Sequence, residues 1–276
     1  MSAQQLLGQP VADVMLDRVR SRITELGVSP QLVAILANDL DASRTYLRMK
    51  QEAAEMVGML FRIEECVGMS SEEIVGRIVQ LNSDTSVHGI MVQLPLATEL
   101  DTHKILEAIE PVKDVDGLTA VNIAAAYLNT PAPRAATAAA VLAILDHHHI
   151  ELAGKHVVIV GRSRLVGLPL AGMCLARNAT VTIVHRHTSN LAEQARQAEV
   201  LVVASGVPAT VTQDMVHPGA VVVDVGWSKV DNVVVGDVDP GVVNVAGALT
   251  PVPGGVGPVT VAQLITNTLE ALERQR

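Results

Sequence analysis

Short runs of branched aliphatic residues alternate with amphipathic segments along this chain, and few folds accept that pattern. Val11 to Leu26 has a helical period, Leu32-Val-Ala-Ile-Leu36 reads as a strand, and Thr45 to Val57 is helical up to Gly58. Leu60 to Cys66 is a second strand. Ser70-Ser-Glu-Glu73 is a capping-box pattern opening a helix to about Asn82, and His88 to Leu94 is a third strand ended by Pro95. The second half repeats the alternation, with strands at His156–Val160, Thr180–His185, Val200–Ala204 and Ala220–Val225. A helix is expected from about Pro169 to Arg177, and a last one over Val259–Arg274. Strands separated by helices favour largely parallel sheets, so the predicted class is α/β, with a doubly wound, Rossmann-like second half. Aromatic residues make up only 1% of a chain that is 49% hydrophobic, so the core must be aliphatic, as buried parallel strands permit. Pro and Ala accumulate near Thr130–Ala140, which marks the expected boundary between halves.

Several function classes are disfavoured at once. The net charge is −9 and no Lys/Arg run is present, so no nucleic-acid partner is expected. The two cysteines, Cys66 and Cys174, lack C-x-x-C spacing and read as reduced core residues of a cytoplasmic protein. MSAQQLLGQP has no basic n-region or long apolar stretch, so no signal peptide is expected. The apolar runs are too short to span a membrane.

The segment Val157 to Pro169 combines a strand, a glycine-marked turn and a helix start. Gly161 permits a tight turn, and Gly167 permits close approach of backbone to a pyrophosphate facing helix N-terminal amides. An ordinary βα turn is the alternative. NAD enzymes commonly place a carboxylate at the end of the next strand, for the ribose hydroxyls. Here that position reads His185-Arg186-His187-Thr188. Guanidinium in place of carboxylate suits a 2′-phosphate, which Arg162 and Ser163 can also reach, so the predicted cofactor is NADP.

In the first half, Tyr46 and Lys50 share one helix face at i and i+4, flanked by Met49, Ala53 and Val57. A lysine held against apolar surface is desolvated toward its neutral form; a snorkelling surface lysine is the alternative. Gln93 ends an apolar strand at a carboxyl edge, where open α/β sheets bind ligands, or else satisfies loop backbone. Lys113-Asp-Val-Asp-Gly117 is an acidic turn whose carboxylate can accept two hydrogen bonds from an amidine-like edge, or is simply solvated. Thr250-Pro-Val-Pro-Gly-Gly-Val-Gly-Pro-Val-Thr260 is a rigid loop suited to pressing main chain on a flat ligand. His147-His-His149 occupies successive helical positions that diverge around the axis, so it reads as a solvated helix end and no metal is expected.

Together these segments resemble the bifunctional methylenetetrahydrofolate dehydrogenase/cyclohydrolase family. The matching pieces are Tyr46-x-x-x-Lys50, Val92-Gln-Leu-Pro-Leu96, Lys113-Asp-Val-Asp-Gly117, Gly161-Arg-Ser-x-x-Val-Gly-x-Pro169 and Pro253-Gly-Gly-Val-Gly-Pro-x-Thr260. A short-chain dehydrogenase also uses Tyr-x-x-x-Lys, but after its glycine loop rather than before it.

The resemblance implies two α/β domains flanking a cleft: residues 1–138 with helix 259–276 as the folate-binding catalytic domain, and 139–258 as the NADP-binding domain. It implies Lys50 as catalytic lysine, Gln93 as its tuner, and Tyr46 stacked on the folate. Asp116 would bind the pterin edge, and Leu94, Pro253, Gly254 and Gly255 would line the folate pocket. Gly161, Arg162, Ser163, Val166, Gly167, Pro169, Arg186 and Thr137 would hold NADP. Implied partners are tetrahydrofolate derivatives and a second copy in a homodimer; the implied setting is one-carbon metabolism and purine biosynthesis. The chain departs from the family at Ala135-Ala-Thr-Ala138, where Pro-Cys-Thr-Pro is usual, at Asp41, and at Leu7-Gly-Gln9. These departures leave two alternatives: a divergent paralogue with one activity, or a non-catalytic folate- and NADP-binding protein.

Overall fold

The computed structural model describes residues 2–231 and 233–276. In chain order the first half runs β1 (Gln4–Gln5), α1 (Gln9–Leu26), β2 (Gln31–Leu36), α2 (Asp41–Met56), β3 (Leu60–Glu65), α3 (Ser71–Ser83) and β4 (Gly89–Val92), then α4 (Thr102–Glu107), α5 (Ala120–Leu128) and α6 (Ala136–His147). The second half runs β5 (His156–Val160), α7 (Gly167–Leu175), β6 (Thr180–Val184), α8 (Leu191–Arg196), β7 (Val200–Val203), β8 (Val221–Asp224), β9 (Ser228–Val230), β10 (Val233–Val235), β11 (Ala248–Leu249) and α9 (Val256–Arg274). These elements form two compact units, each assembled from separate stretches of chain.

One unit comprises Asp13–Ile123, Pro131–Ala136 and Val261–Arg276. Its sheet is parallel, in the order β3-β2-β4. Leu32 to Leu36 are all fully buried because β2 is central and covered on both faces. β3 is the edge strand, and Leu60, Arg62 and Glu65 face solvent from it. The Ser70–Glu73 capping box forms as the sequence requires and opens α3. α2 begins four residues earlier than its apolar period predicts, with Asp41 in the first turn, where a carboxylate favours the helix dipole. It ends at Val57, and Gly58 follows at φ +84°.

The other unit comprises the residues up to Ala12, Ala124–Thr130 and Thr137–Thr260. Its parallel six-stranded sheet has the order β1-β11-β8-β7-β5-β6. β9 and β10 make a separate antiparallel pair. Val158, Val160, Val184, Leu201, Val203 and Val222 fill the core, as a chain poor in aromatics demands. The sequence division placed residues 1–12 with the first domain, whereas residues 2–12 pack with the second sheet. Gln4 pairs with Ala248, and the Leu6 N–H donates to the Leu249 carbonyl at 2.9 Å. A two-residue polar strand has no hydrophobic period of its own; main-chain pairing places it, together with the buried Ala3 and Leu6 on either side. α9 likewise starts at Val256 rather than Val259, since a first-turn proline such as Pro258 displaces only an N–H that has no helical partner.

Cys66 and Cys174 are free and buried, and burial pushes the Cys174 thiol up to about 12. Among the described residues no helix is long and apolar enough to cross a membrane.

Candidate active site and dinucleotide site

Lys50 lies on the third turn of α2, four residues after Tyr46, and both are half-buried. Its Nζ donates to Gln93 Oε1 at 2.9 Å. Gln93 follows β4 directly and is itself only 6% exposed. Its N–H makes the last rung of the ladder to the Ile35 carbonyl at 2.9 Å, and its Nε2 donates to the Leu94 carbonyl at 2.8 Å. Every polar atom of this amide is therefore committed, and Oε1 is the part aimed at Lys50. Burial pushes the Lys50 ammonium below its ordinary value, against the opposing pull of Asp116. The same burial raises the Asp116 carboxyl to about 6, with Lys50 holding it down and Asp114 pushing it further up. Tyr46 is displaced upward by burial alone. A desolvated amine beside a carboxyl with a near-neutral pKa is an acid–base arrangement.

The Lys113–Gly117 turn divides its labour among residues that look alike in sequence. It runs beside β4 as an isolated parallel bridge, with the Ile90 N–H donating to the Lys113 carbonyl at 2.7 Å. Lys113 is buried, and its Nζ donates to the carbonyls of Leu81, Asn82 and Asp84 at the C-terminal end of α3. It is a helix cap, not a ligand contact. Asp114 is 1% exposed and accepts from Thr119 N at 2.7 Å and Asn122 Nδ2 at 2.9 Å, which fixes the start of α5. That leaves Asp116 as the turn's carboxylate for chemistry. Gly117 sits at φ +67°, and a Cβ there would lie 2.5 Å from Ala135 N. The Ala136 N–H donates to the Asp116 carbonyl at 3.2 Å, so Ala135 and Ala136 pack on the turn in place of the family's usual Pro-Cys. Asn267 of α9 ties the same region down, donating to the Val115 and Arg134 carbonyls at 2.7 and 2.8 Å.

In the other unit, Gly161 leaves β5 at φ +127°, and a Cβ on it would lie 2.2 Å from the Ala204 carbonyl oxygen. A Cβ on Gly167 would lie 2.0 Å from the Gly161 carbonyl oxygen. The two glycines thus press backbone on backbone, and the need for Gly167 arises inside the loop itself rather than from a pyrophosphate alone. Ser163 Oγ accepts from Val166 N at 3.1 Å and shapes the turn, while Val166 and Pro169 are buried. The result is a cradle at the start of α7 whose main chain a phosphate can approach.

β5 and β6 run in parallel register, with Val160 opposite Val184. Arg162 and Arg186 follow these strands at the same remove, and both are exposed. Burial, and then Arg162 and His187, push the His185 imidazole below its ordinary value, so the guanidinium groups supply the positive charge here. This end of the sheet fits a phosphorylated ribose and lacks the carboxylate that an unphosphorylated one favours.

The sequence reading did not single out the acidic cluster beside this edge. Asp237 is fully buried, and its Oδ2 accepts from Ser205 N, Ser205 Oγ and Gly206 N at 2.7, 3.0 and 2.7 Å, fixing the loop after β7. Asp224 Oδ1 accepts from Gly226 N and Asp237 N, and its carboxyl is pushed up to about 6, chiefly by burial. Paired aspartates at the ends of apolar segments were the available signal.

The loop from Thr250 to Gly255, ahead of α9, is packed main chain on main chain: a Cβ on Gly255 would lie 2.6 Å from the Pro251 carbonyl oxygen, and Gly254 adopts φ +102°. Pro253 is exposed and Gly254 half-exposed, whereas Gly255 is buried. Thr137 is half-buried in the first turn of α6. His147 and His149 are exposed beside a half-buried His148 at the end of that helix.

A parallel α/β sheet with a glycine cradle defines a dinucleotide-binding protein, and the Lys50–Gln93–Asp116 group adds acid–base chemistry. The family model described as the tetrahydrofolate dehydrogenase/cyclohydrolase catalytic domain matches residues 6–116, and that for its NAD(P)-binding domain matches 135–276. The chain belongs to this family. It is 44% identical over 272 residues to the bifunctional protein FolD of Thermus thermophilus, covering 98% of this chain and 96% of that one. The crystal structure of the bifunctional FolD dehydrogenase/cyclohydrolase from Campylobacter jejuni superposes with a TM-score of 0.95 at 35% identity, covering 100% of both chains. The Trypanosoma brucei enzyme, solved with NADP cofactor and an inhibitor, gives 0.93 at 34% identity over 99% of this chain and 98% of that one.

Proposed function

We propose that this chain oxidises methylenetetrahydrofolate to methenyltetrahydrofolate with NADP and hydrolyses the product to 10-formyltetrahydrofolate. The observation that carries the reading is the 2.9 Å bond from Lys50 Nζ to Gln93 Oε1, with the half-buried Asp116 acting on the same amine. When bound, NADP accepts the hydride of the methylene carbon. Asp116 holds the pterin edge through two accepted hydrogen bonds, Tyr46 stacks on the ring, and Leu94 borders it. In hydrolysis, neutral Lys50 removes a proton from the water that attacks the cationic methenyl carbon, and Gln93 Oε1 orients the amine. The C–N5 bond then breaks, N5 takes up a proton, and the formyl group stays on N10. Gly161, Ser163, Val166, Gly167 and Pro169 shape the phosphate cradle, Arg162 and Arg186 take the 2′-phosphate, and Thr137 lies on the helix that borders the cofactor. Purified protein is tested for NADP reduction with methylenetetrahydrofolate and for disappearance of methenyltetrahydrofolate without NADP. Failure of both refutes the reading.

The setting we infer is cytoplasmic, in one-carbon metabolism supplying purine biosynthesis. Two free, buried cysteines support the compartment. A homodimer through the dinucleotide-binding unit is supported by exposed Leu128, Leu168 and Leu175 on that unit. We assign folate to the domain of residues 1–138 with 259–276, less the first strand, and NADP to 139–258.

Two outcomes follow at the binding groups. Arg186→Ala raises KM for NADP about tenfold, the equivalent of one charge-assisted hydrogen bond, and leaves KM for NAD unchanged. A wild-type preference for NAD would refute the assignment. The free enzyme's kcat/KM for methylenetetrahydrofolate falls as pH drops through about 6, because protonated Asp116 loses its doubly accepting carboxylate. The folded pKa lies above the ordinary carboxylate value, so this charge opposes folding above pH 6 and ceases to do so in acid. Asp116→Asn removes that acid limb; its persistence would assign the limb elsewhere.

A further inference from the structure

β2 and β4 are adjacent parallel strands, so the chain leading to α2 and the loop carrying Gln93 leave the sheet at one edge. The last rung between them is Gln93 N to the Ile35 carbonyl. Beyond it the two chains diverge, one toward Lys50 and the other through Leu94 and Pro95. Asn38 stands in that fork and is only 5% exposed. Its Oδ1 accepts from Leu40 N at 3.0 Å, and its Nδ2 donates to the Pro95 carbonyl at 2.5 Å. A backbone N–H can only donate and a carbonyl can only accept, so the amide has one orientation. Leu40, the N-cap of α2, has no side-chain cap bond of its own, so the Asn38 turn sets the direction in which α2 starts.

We propose that Asn38 is a positioning residue for the Lys50–Gln93 pair, acting as a bridge between the start of the lysine's helix and the loop that holds the glutamine. The inference rests on the reading of Lys50 as the hydrolytic base. Gln93 has one side-chain bond to Lys50 and one to its own neighbour, Leu94. The loop beyond it is tied back across the fork by Asn38. Without that bridge, Gln93 and Pro95 swing from α2 and water reaches Lys50 Nζ. Burial is the largest influence on this amine, so rewetting outweighs the lost Gln93 acceptor and moves its titration upward. The charged group acting on it in this unit is Asp116, whose pull on the ammonium is screened as water enters and stays smaller than the effect of burial.

The test uses the full chain with Asn38→Ala and Asn38→Ser. Serine retains an acceptor for Leu40 N but is too short to reach the Pro95 carbonyl, so it keeps the turn and removes the bridge. Both variants should move the rising limb of the cyclohydrolase pH–rate profile to higher pH. A limb displaced by one pH leaves about tenfold less neutral amine on the acid side, with KM for NADP unchanged. In a Gln93→Ala background the same substitutions should move the limb no further, because the bridge acts through Gln93. An unmoved limb in the serine variant, or equal displacements in both backgrounds, would overturn the proposal. If the wild type fails to hydrolyse methenyltetrahydrofolate, the functional reading falls on its own. The titration of Lys50, followed by NMR of 13Cε-labelled lysine in wild type and the serine variant, then decides Asn38: an upward displacement supports the bridge and an unchanged curve refutes it.

Discussion

Lys50→Met removes methenyl hydrolysis, by about 100-fold or more, while NADP affinity stays within about twofold of wild type. Methionine fills nearly the same apolar channel along α2, so the packing of the lysine stem against its neighbours survives. What disappears is the nitrogen on Gln93 Oε1, and with it the proton acceptor for the attacking water. Two secondary effects run in known directions. Gln93 Oε1 loses a donor at a 6% exposed position, which costs about 1–3 kcal/mol of local stability unless water enters. Asp116 loses the positive charge that holds it down, so its carboxyl rises further above about 6 and folate binding weakens near neutrality. The decisive measurements are methenyl hydrolysis rates across pH and NADP binding by calorimetry. A variant that hydrolyses at the wild-type rate would remove Lys50 from the mechanism.

The second large effect belongs to the glycine cradle. Gly161→Ala should lower the melting temperature by about 6–12 °C and abolish NADP binding, from a destabilisation of about 3 kcal/mol or more. Two penalties coincide at this residue. Its φ of +127° is open to glycine and strained for alanine, and the added carbon would sit 2.2 Å from the Ala204 carbonyl oxygen. The obstructing atom is backbone of the neighbouring strand's end, so relief requires moving β7 away from β5. Gly154 supplies the control: it also has positive φ, at +75°, but a Cβ there meets nothing within 4 Å. Gly154→Ala should therefore show only the conformational strain, about 1 kcal/mol, with NADP binding intact. Equal losses in the two variants would show that the close approach to Ala204 has no special weight.

How much was legible in the sequence depended on whether a signal was local. β5 was read to the residue, because four consecutive β-branched residues, Val157 to Val160, end at a glycine that turns the chain. β4 was read three residues too long: His88 lies ahead of it, and once the Gln93 N–H has made the last rung the chain leaves the ladder for the site. α5 gave no usable period, being apolar around most of its circumference. The partnership of Lys50 with Gln93 was visible through the motifs that carry both, although 43 residues separate them. The different duties of Lys113, Asp114 and Asp116 were not visible. They depend on carbonyls at the end of α3 and amides at the start of α5, which no spacing within the turn encodes. Asn38 and Asp237 were missed for the same reason: a loop amide and a buried carboxylate show their importance only through the backbones they hold.

The anchoring of the Asp116 turn by Asn267 has a consequence for the order of events during synthesis. Val115 emerges from the ribosome 152 residues ahead of the side chain that grips its carbonyl. The bridge from Ile90 to Lys113, the grip of Lys113 on α3 and the bonds of Asp114 to the start of α5 can all form before then; what waits for α9 is the last tie, on the Val115 and Arg134 carbonyls. A nascent chain stalled in the second sheet therefore holds this turn by its local bonds alone, with the Val115 carbonyl still ungripped.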